Sequence, residues 1–340
     1  MKIIECIPNI SEGKDIKKIK AITFEAKNIP GTYLLDVYTG NTTNRTVLTL
    51  AGEPGAIKEA VYKIFKKTSE LIDMRKHKGV HPRIGAIDVC PLVPVYDTKM
   101  KECVDISKDI GEKVARELKI PVYLYAESSS SKKRKNLFNI RKGEYEGLKE
   151  KIKKSEWKPD FGEAEFNEKA GASIIGARDF LIAFNINLDT KDKNVAAKIA
   201  GKVRESGTIK KDITGKKVRK PGALKEVKAI GWYIDELGCA QVSANLTNFR
   251  ITSLYRFFEE VKKEAENLGV EITGSELVGL VPEEAILEAG KFYLEDKNTD
   301  GAPSKREIID SAVKNLGLDQ NIGFNPEEKI LEYKIKKEML

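Results

Sequence analysis

His77-Lys78-Gly79-Val80-His81-Pro82-Arg83-Ile84-Gly85-Ala86-Ile87-Asp88 joins a helical run to a buried strand, and it carries both histidines of the 340-residue chain. Upstream, between Gly55 and Arg75, apolar residues at Ile57, Val61, Ile64, Phe65, Leu71 and Ile72 follow helical spacing. Downstream, Ile84 to Val95 is an apolar run closing on Pro91 and Pro94, the pattern of a buried strand. Pro82 biases His81 toward extended backbone. A polar side chain on a connection between two rigid elements is a common active-site arrangement. Histidine is the side chain that titrates near neutral pH without perturbation, so proton transfer there falls to these two positions.

Two histidines four apart can bind a metal from one helical face. Here Gly79 and Pro82 interrupt a continuous helix, and no glutamate follows His77. A histidine that ends a helix is favoured as a cation, which suits His77 after Arg75 and Lys76. His81 lies beyond the glycine and is the candidate base.

Strand and helix signals alternate outward from this segment. Ile3 to Ile7 reads as a strand, with Ser11 as the cap of a helix over Lys14 to Lys27. Strands follow over Thr32 to Val37 and Asn44 to Leu50. After the histidine strand come a helix over Lys101 to Lys119 and a strand over Pro121 to Tyr125. Ser128 to Ser131 reads as a flexible loop, and Trp157 to Gly171 as a long loop joining two blocks. The second block opens with the apolar strand Phe180 to Leu188, then a helix over Lys193 to Glu205 and a polar connection over Lys210 to Pro221. Strands over Val227 to Tyr233 and Ala240 to Leu246 precede an amphipathic helix over Thr252 to Leu268. A strand over Leu277 to Val281 and a helix beginning at Pro282 follow. From Pro303 a helix and a charged tail are expected. Helices covering mixed sheets, an α/β (α+β) architecture, suit this order.

Composition bounds the partners. Hydrophobic residues make up 41% and charged residues 33% of the sequence, the balance of a globular chain. No apolar run approaches the ~20 residues of a membrane span, and the N-terminus is too quickly polar for a signal peptide. A cytoplasmic protein is expected, with no membrane partner. Four cysteines at 6, 90, 103 and 239 match neither a zinc nor a redox spacing, so no metal is expected. The net charge of +8 gathers at Lys132 to Lys135 and along Lys210 to Lys220. Both runs read as solvated loops or as seats for a polyanionic ligand tail, and no nucleic-acid motif accompanies them.

Polar clusters lie elsewhere. In Gly40-Asn-Thr-Thr-Asn-Arg-Thr46, a turn, Arg45 suits a carboxylate because a guanidinium binds one bidentately. Asn44, Arg45 and Arg83 are therefore candidate substrate ligands from the first block, and Gln241, Ser243 and Asn245 from the second. From the residues alone, the chain reads as a small-molecule transferase or hydrolase with one histidine base.

Several segments together resemble the glutamate formiminotransferase family, the N-terminal part of formiminotransferase-cyclodeaminase. They are Cys6-Ile-Pro-Asn-Ile-Ser-Glu-Gly13, Thr43-Asn-Arg-Thr46, and Leu71-Ile-Asp-Met74 with His77 through Pro91. Further ones are Gly176-Ala-Arg178, Phe184-Asn-Ile-Asn-Leu188, Gly231-Trp-Tyr233, Gln241-Val-Ser243 and Leu277-Val-Gly-Leu-Val-Pro282. The resemblance runs over essentially the whole chain. It implies two ferredoxin-like subdomains, 1–178 and 179–298, with a ligand tunnel between them, and a linker-like tail over 299–340 without cyclodeaminase activity. It also implies a homodimer that moves the formimino group of N-formimino-L-glutamate to N5 of tetrahydrofolate, a co-substrate that is mono- or polyglutamylated. The catalytic histidine falls on His81. The folate-binding loop falls on Gly162, Glu163, Ala164, Glu165, Phe166, Asn167, Glu168, Lys169, Ala170 and Gly171. Tyr38 and Val80 stand where the family pattern leads one to expect acids. An alternative is therefore formyl transfer between 5-formyltetrahydrofolate and glutamate, or a folate-binding protein without catalysis.

Overall fold

In the computed structural model, residues 2–211, 214–295, 302–320 and 323–339 are described. The chain divides into two compact units, one closing at Asp179 and the other opening at Phe180. No helix among the described residues is long and apolar enough to cross a membrane.

The first unit begins with β1 (Ile3–Cys6) and β2 (Asn9–Ile10), two halves of one strand path interrupted around Pro8. α1 (Ile16–Lys27), β3 (Thr32–Gly40), β4 (Arg45–Gly52), α2 (Pro54–Leu71) and β5 (Ile87–Tyr96) follow. The strands lie in the order β5, β1, β4, β3, each antiparallel to its neighbour. That is the split βαββαβ arrangement of ferredoxin-like folds. α3 (Met100–Leu118), β6 (Val122–Ala126), α4 (Leu137–Arg141), α5 (Glu144–Lys151) and β7 (Ser173–Ala177) complete the unit. β7 joins β5 in parallel, and β6 joins β7 in parallel, so the sheet grows past the ferredoxin-like edge. Helices α1, α2 and α3 cover one face, burying Ile22, Ile57, Ile64, Phe65, Ile110 and Val114 against Ile4, Leu48, Leu50 and Leu92. Burying a side chain of that size contributes about 1.5–3 kcal/mol.

The second unit repeats the plan with β8 (Ile182–Leu188), α6 (Lys193–Val203), the hairpin strands β9 (Thr208–Lys211) and β10 (Lys217–Lys220), β11 (Val227–Ile234) and β12 (Cys239–Leu246). α7 (Leu254–Glu266), β13 (Ile272–Val278) and α8 (Glu283–Glu295) follow. The order β11, β12, β8, β13 is antiparallel throughout, again the split βαββαβ plan. Phe184 of β8 stacks on Phe258 of α7 and meets Phe257 at a tilt of 59°. α9 (Lys305–Asn315), α10 (Pro326–Lys329) and α11 (Leu331–Met339) close the chain.

Some expectations are corrected. α2 ends at Leu71 rather than Arg75, because the apolar side chains of Ile72 and Met74 enter the core and draw the backbone off the helix axis. His77 is therefore not a helix-end residue. Ser11 does not cap α1. Asp15 does, accepting from the N–H groups of Lys17 and Lys18, while Ser11 is held to the histidine segment through Gly85 and Ala86. The Trp157–Gly171 loop stays inside the first unit, since β7 follows it and returns to the first sheet. α4 and α5 form in a stretch to which the sequence pattern assigned no element, since runs so short carry no clear helical period. Ser128 is not in a flexible loop: its buried hydroxyl meets Ser107 and accepts from the Ala177 N–H. β13 opens at Ile272, five residues before the expected strand, and ends ahead of Gly279, whose φ is +80°. Lys210 to Pro221, expected as a polar connection, takes in the end of β9 and all of β10, which pair as a hairpin, with residues 212 and 213 outside the described set. Ile309, Ala312, Leu316, Leu318 and Ile330 are buried in the second unit's core.

Candidate active site

Asn44 fixes the histidine loop. It sits in the turn before β4 with a positive φ of 47°, a conformation asparagine tolerates better than most residues. Its Oδ1 accepts from Gly13 N at 2.9 Å and its Nδ2 donates to Lys78 O at 2.8 Å. Its backbone carbonyl accepts from His77 Nε2 at 2.9 Å. Gly79 crosses this turn so closely that a Cβ there would lie 2.3 Å from Thr43 O. Asn44, expected to touch substrate, has its side chain occupied by the scaffold.

The buried ring of His77 is oriented from both sides. Nε2 donates to Asn44, and Nδ1 accepts from Arg83 Nε at 3.1 Å. Those contacts define the neutral Nε2–H tautomer. Burial is the main cause that lowers its pKa, and the nearby Arg83 adds to it. Arg83, the second candidate ligand, is only 5% exposed. Its Nη1 and Nη2 reach the two oxygens of Glu146 at 2.9 and 2.7 Å, and Nη1 also meets Glu144 at 3.1 Å. With two carboxylates and His77 on it, Arg83 is a structural cation.

His81 is different in kind. Its side chain is half-buried, and Nδ1 lies 2.8 Å from the Pro82 carbonyl. A carbonyl only accepts, so the neutral ring carries its proton on Nδ1 and places its lone pair on Nε2. Burial, then the charges of Arg45 and Arg141, push its pKa well below the ordinary 6.5, against the pull of Asp88 and the Pro82 carbonyl. These causes favour the neutral ring at neutral pH.

The charges around it are arranged on three elements. Arg45 opens β4 and is 8% exposed. Its Nε and Nη2 bond Asn9 Oδ1 at 3.1 and 2.7 Å, and its Nη1 bonds Asp88 Oδ2 at 2.8 Å. Arg141, the last residue of α4, donates from Nη2 to the same Asp88 oxygen at 2.5 Å. Asp88 Oδ1 accepts from Ile84 N at 3.0 Å. Burial would raise the Asp88 pKa, but the Arg141 and Arg45 charges prevail and hold it at about 2. Burial brings Arg45 down to about 10 despite Asp88. One carboxylate between two guanidinium groups leaves one net positive charge beside His81.

α4 owes its position to Lys151. Its Nζ donates to the carbonyls of Asn139, Ile140 and Lys142 at 2.8, 2.6 and 2.9 Å, and it lies 4.0 Å from the centre of the Trp157 ring. A cation on the last carbonyls of a helix is favourable. Burial and neighbouring lysines bring Lys151 down to about 8, still protonated at neutral pH.

The 162–171 loop is bound to the segment that follows His81. Ala86 N donates to Ala170 O at 2.8 Å and Ala172 N to Ile84 O at 3.1 Å, around a bridge between Gly85 and Gly171. A Cβ on Gly171, where φ is +69°, would lie 2.2 Å from Ile84 O. Asn167 closes the loop on itself and on Lys119 O, Phe166 packs on Tyr145, and Lys169 Nζ reaches Glu70 O. Gly162 has φ of +88°. Glu163, Glu165 and Glu168 are exposed, Ala164 is half-buried and Ala170 is buried.

In the second unit, Gln241, Ser243 and Asn245 share one face of β12. Gln241 is fully buried and closed into a network, accepting from Trp232 Nε1 at 2.7 Å and donating to Asn187 at 2.7 Å and Glu276 at 3.0 Å. Ser243 and Asn245 are half-buried. In the first unit the charges of Arg45 and Asp88 act on His81, while the Arg83 guanidinium and the Asn44 amide are bonded to other groups of the same unit. Arg141, Asn9 and Lys151 were missed. Arg141 ends a five-residue helix, and nothing in its local pattern links it to a histidine 60 positions earlier.

Residues 3–178 match the model of the formiminotransferase domain, N-terminal subdomain, and residues 183–336 that of the formiminotransferase domain. The chain is 46% identical over 98% of its length to formimidoyltransferase-cyclodeaminase of Rattus norvegicus, of which it spans 60%. It is 44% identical to glutamate formimidoyltransferase of Streptococcus pyogenes serotype M1, over 88% of this chain and 95% of that one. The protein of the same name from Thermoplasma acidophilum is 43% identical over 87% of this chain and 93% of its own length.

Proposed function

The chain belongs to the formiminotransferase family, and from that premise we propose that it transfers the formimino group of N-formimino-L-glutamate to N5 of tetrahydrofolate, with His81 as the base. What supports the role of His81 is its geometry: Nδ1 sits 2.8 Å from the Pro82 carbonyl, so the neutral ring has its basic nitrogen at Nε2, and burial with the Arg45 and Arg141 charges favours that neutral form. N5 of tetrahydrofolate attacks the formimino carbon. Nε2 takes the N5 proton, the tetrahedral intermediate forms, and the imidazolium returns that proton to the glutamate nitrogen as its bond to carbon breaks. The products are 5-formiminotetrahydrofolate and glutamate. General acid–base transfer of this kind contributes about 10²–10⁴-fold.

The 162–171 loop is the proposed folate contact. Its exposed Glu163, Glu165 and Glu168 suit the N–H donors of a pterin edge and disfavour the anionic glutamate tail. The same proposal includes a cytoplasmic homodimer acting on mono- or polyglutamylated folate, with no nucleic acid or metal in the reaction.

His81→Ala tests it. Turnover measured by ultraviolet absorbance with formiminoglutamate and tetrahydrofolate should fall by about 10²-fold or more, while folate binding followed by calorimetry persists. Normal turnover in the variant would remove His81 from the chemistry. Wild-type transfer from 5-formyltetrahydrofolate to glutamate, with none from formiminoglutamate, would replace the donor.

A further inference from the structure

Among the arginines near His81, most donors are taken. Each nitrogen of Arg45 donates to Asn9 or Asp88. Arg83 is closed by Glu144, Glu146 and His77. Arg141 stands apart. Its one hydrogen bond among the described residues runs from Nη2 to Asp88, and its Nε is buried with no partner. A buried N–H left unpaired costs about 1–3 kcal/mol, and more on a charged group. Such groups in folded proteins call for a reason, and a missing ligand oxygen is one.

The placement is built rather than incidental. Three carbonyls at the end of α4 are gathered by Lys151, which fixes the helix terminus that carries Arg141. Asp88 pins the guanidinium by one of its five donors and leaves the fork incompletely occupied. The pair of arginines exceeds Asp88 by one positive charge, which matches one carboxylate.

We propose that Arg141, backed by Arg45 across Asp88, is the seat for a substrate carboxylate beside His81. This rests on the transfer reaction above and deepens it. A carboxylate there meets a planar fork, the geometry in which guanidinium binds carboxylate bidentately. It also neutralises the excess charge facing His81, so substrate arrival raises the basicity of the ring that must take the proton. The groups acting on that ring are Arg45 from β4, Arg141 from α4, Asp88 from β5 and the Pro82 carbonyl. Both substrates carry carboxylates, the amino-acid donor and the glutamate tail of folate, and the experiment separates them.

Arg141→Met removes the fork, and Arg141→Lys keeps the charge in a side chain that binds carboxylates less specifically. Circular dichroism establishes that each folds. If the donor occupies the seat, the KM for formiminoglutamate rises about 100-fold in Arg141→Met and less in Arg141→Lys, with kcat changed far less. If the folate tail occupies it, the KM for tetrahydrofolate rises instead, and tetrahydropteroate, which lacks the tail, is unaffected. A fall in kcat alone, with both KM values unchanged, overturns the proposal. A second readout needs no turnover. With two histidines in the chain, imidazole NMR resonances are assigned from a His77→Gln variant. Glutarate should raise the His81 pKa in the wild type and not in Arg141→Met. No response to glutarate or tetrahydrofolate in the wild type overturns the seat even if transfer occurs, whereas a response without transfer leaves the seat standing and removes the reaction.

Discussion

Asp88→Asn is the most exacting perturbation of this site, because it changes charge and hydrogen bonding but not shape. Asp88 is fully buried and accepts three N–H groups, from Ile84, Arg45 and Arg141. Asparagine has one acceptor oxygen and one amide nitrogen. Whichever way the amide turns, at least one donor then faces an NH2 group. Two buried guanidinium groups also lose their shared counter-charge. Breaking a buried ion pair by removing one partner costs about 3–5 kcal/mol. For a unit of this size each kcal/mol shifts Tm by about 2–4 °C, so the first unit should melt roughly 6–20 °C lower. Scanning calorimetry measures the shift, and hydrogen exchange at the Ile84 amide, now without its carboxylate, reports the local loss. Adding Arg141→Met to Asp88→Asn removes one of the two stranded cations and should recover part of the lost Tm. If Asp88→Asn melts within about 2 °C of the wild type, or if the second change deepens the loss by its full single-variant cost, the buried-charge reasoning fails.

Two further outcomes follow from the same geometry. Lys151→Met should leave three carbonyls at the end of α4 without their donor, lower stability by about 1–3 kcal/mol and alter the emission of Trp157. Unchanged fluorescence and Tm would mean that α4 does not depend on Lys151. Both histidines titrate below their ordinary value of 6.5, so as pH falls through 6.5 the unfolded chain gains protons that the folded chain refuses. Stability therefore drops on the acid side of 6.5. His81→Gln should flatten that slope in pH-dependent thermal melts, and a slope identical to the wild type would contradict it.

The sequence was informative where pattern and physics coincide. The helix before the histidines and the strand after them appeared nearly in place, because Ile57, Val61, Ile64 and Phe65 are spaced to bury one helix face and Ile87 to Val93 is fully buried. His81 was separable from His77 by Gly79 and Pro82 alone. The reason for the separation was not visible: His77 is a scaffold residue because Arg83 and Asn44 grip its ring, not because it ends a helix. Arg45 was found by its setting among hydroxyls, yet its partners Asn9 and Asp88 lie 36 and 43 positions away. Arg141 could not be found this way. Its helix is too short to show a period, and its neighbour is brought to it by the sheet. Gln241 looked like a ligand because a polar side chain on an apolar strand invites that view, whereas its amide is satisfied by Trp232, Asn187 and Glu276.

The bridge between Gly85 and Gly171 bears on the order in which the site assembles. It closes a loop whose neighbouring Ser173–Ile87 bond spans 86 positions, while Arg141 and Asp88 are 53 apart. Contacts of such separation form after local helices, since the chain entropy of closing long loops must be overcome first. Helix α3, built from near neighbours, can exist before any of them. During refolding, then, far-ultraviolet signal and catalytic competence belong to different moments: a chain caught between them has its helices but no place to hold a substrate.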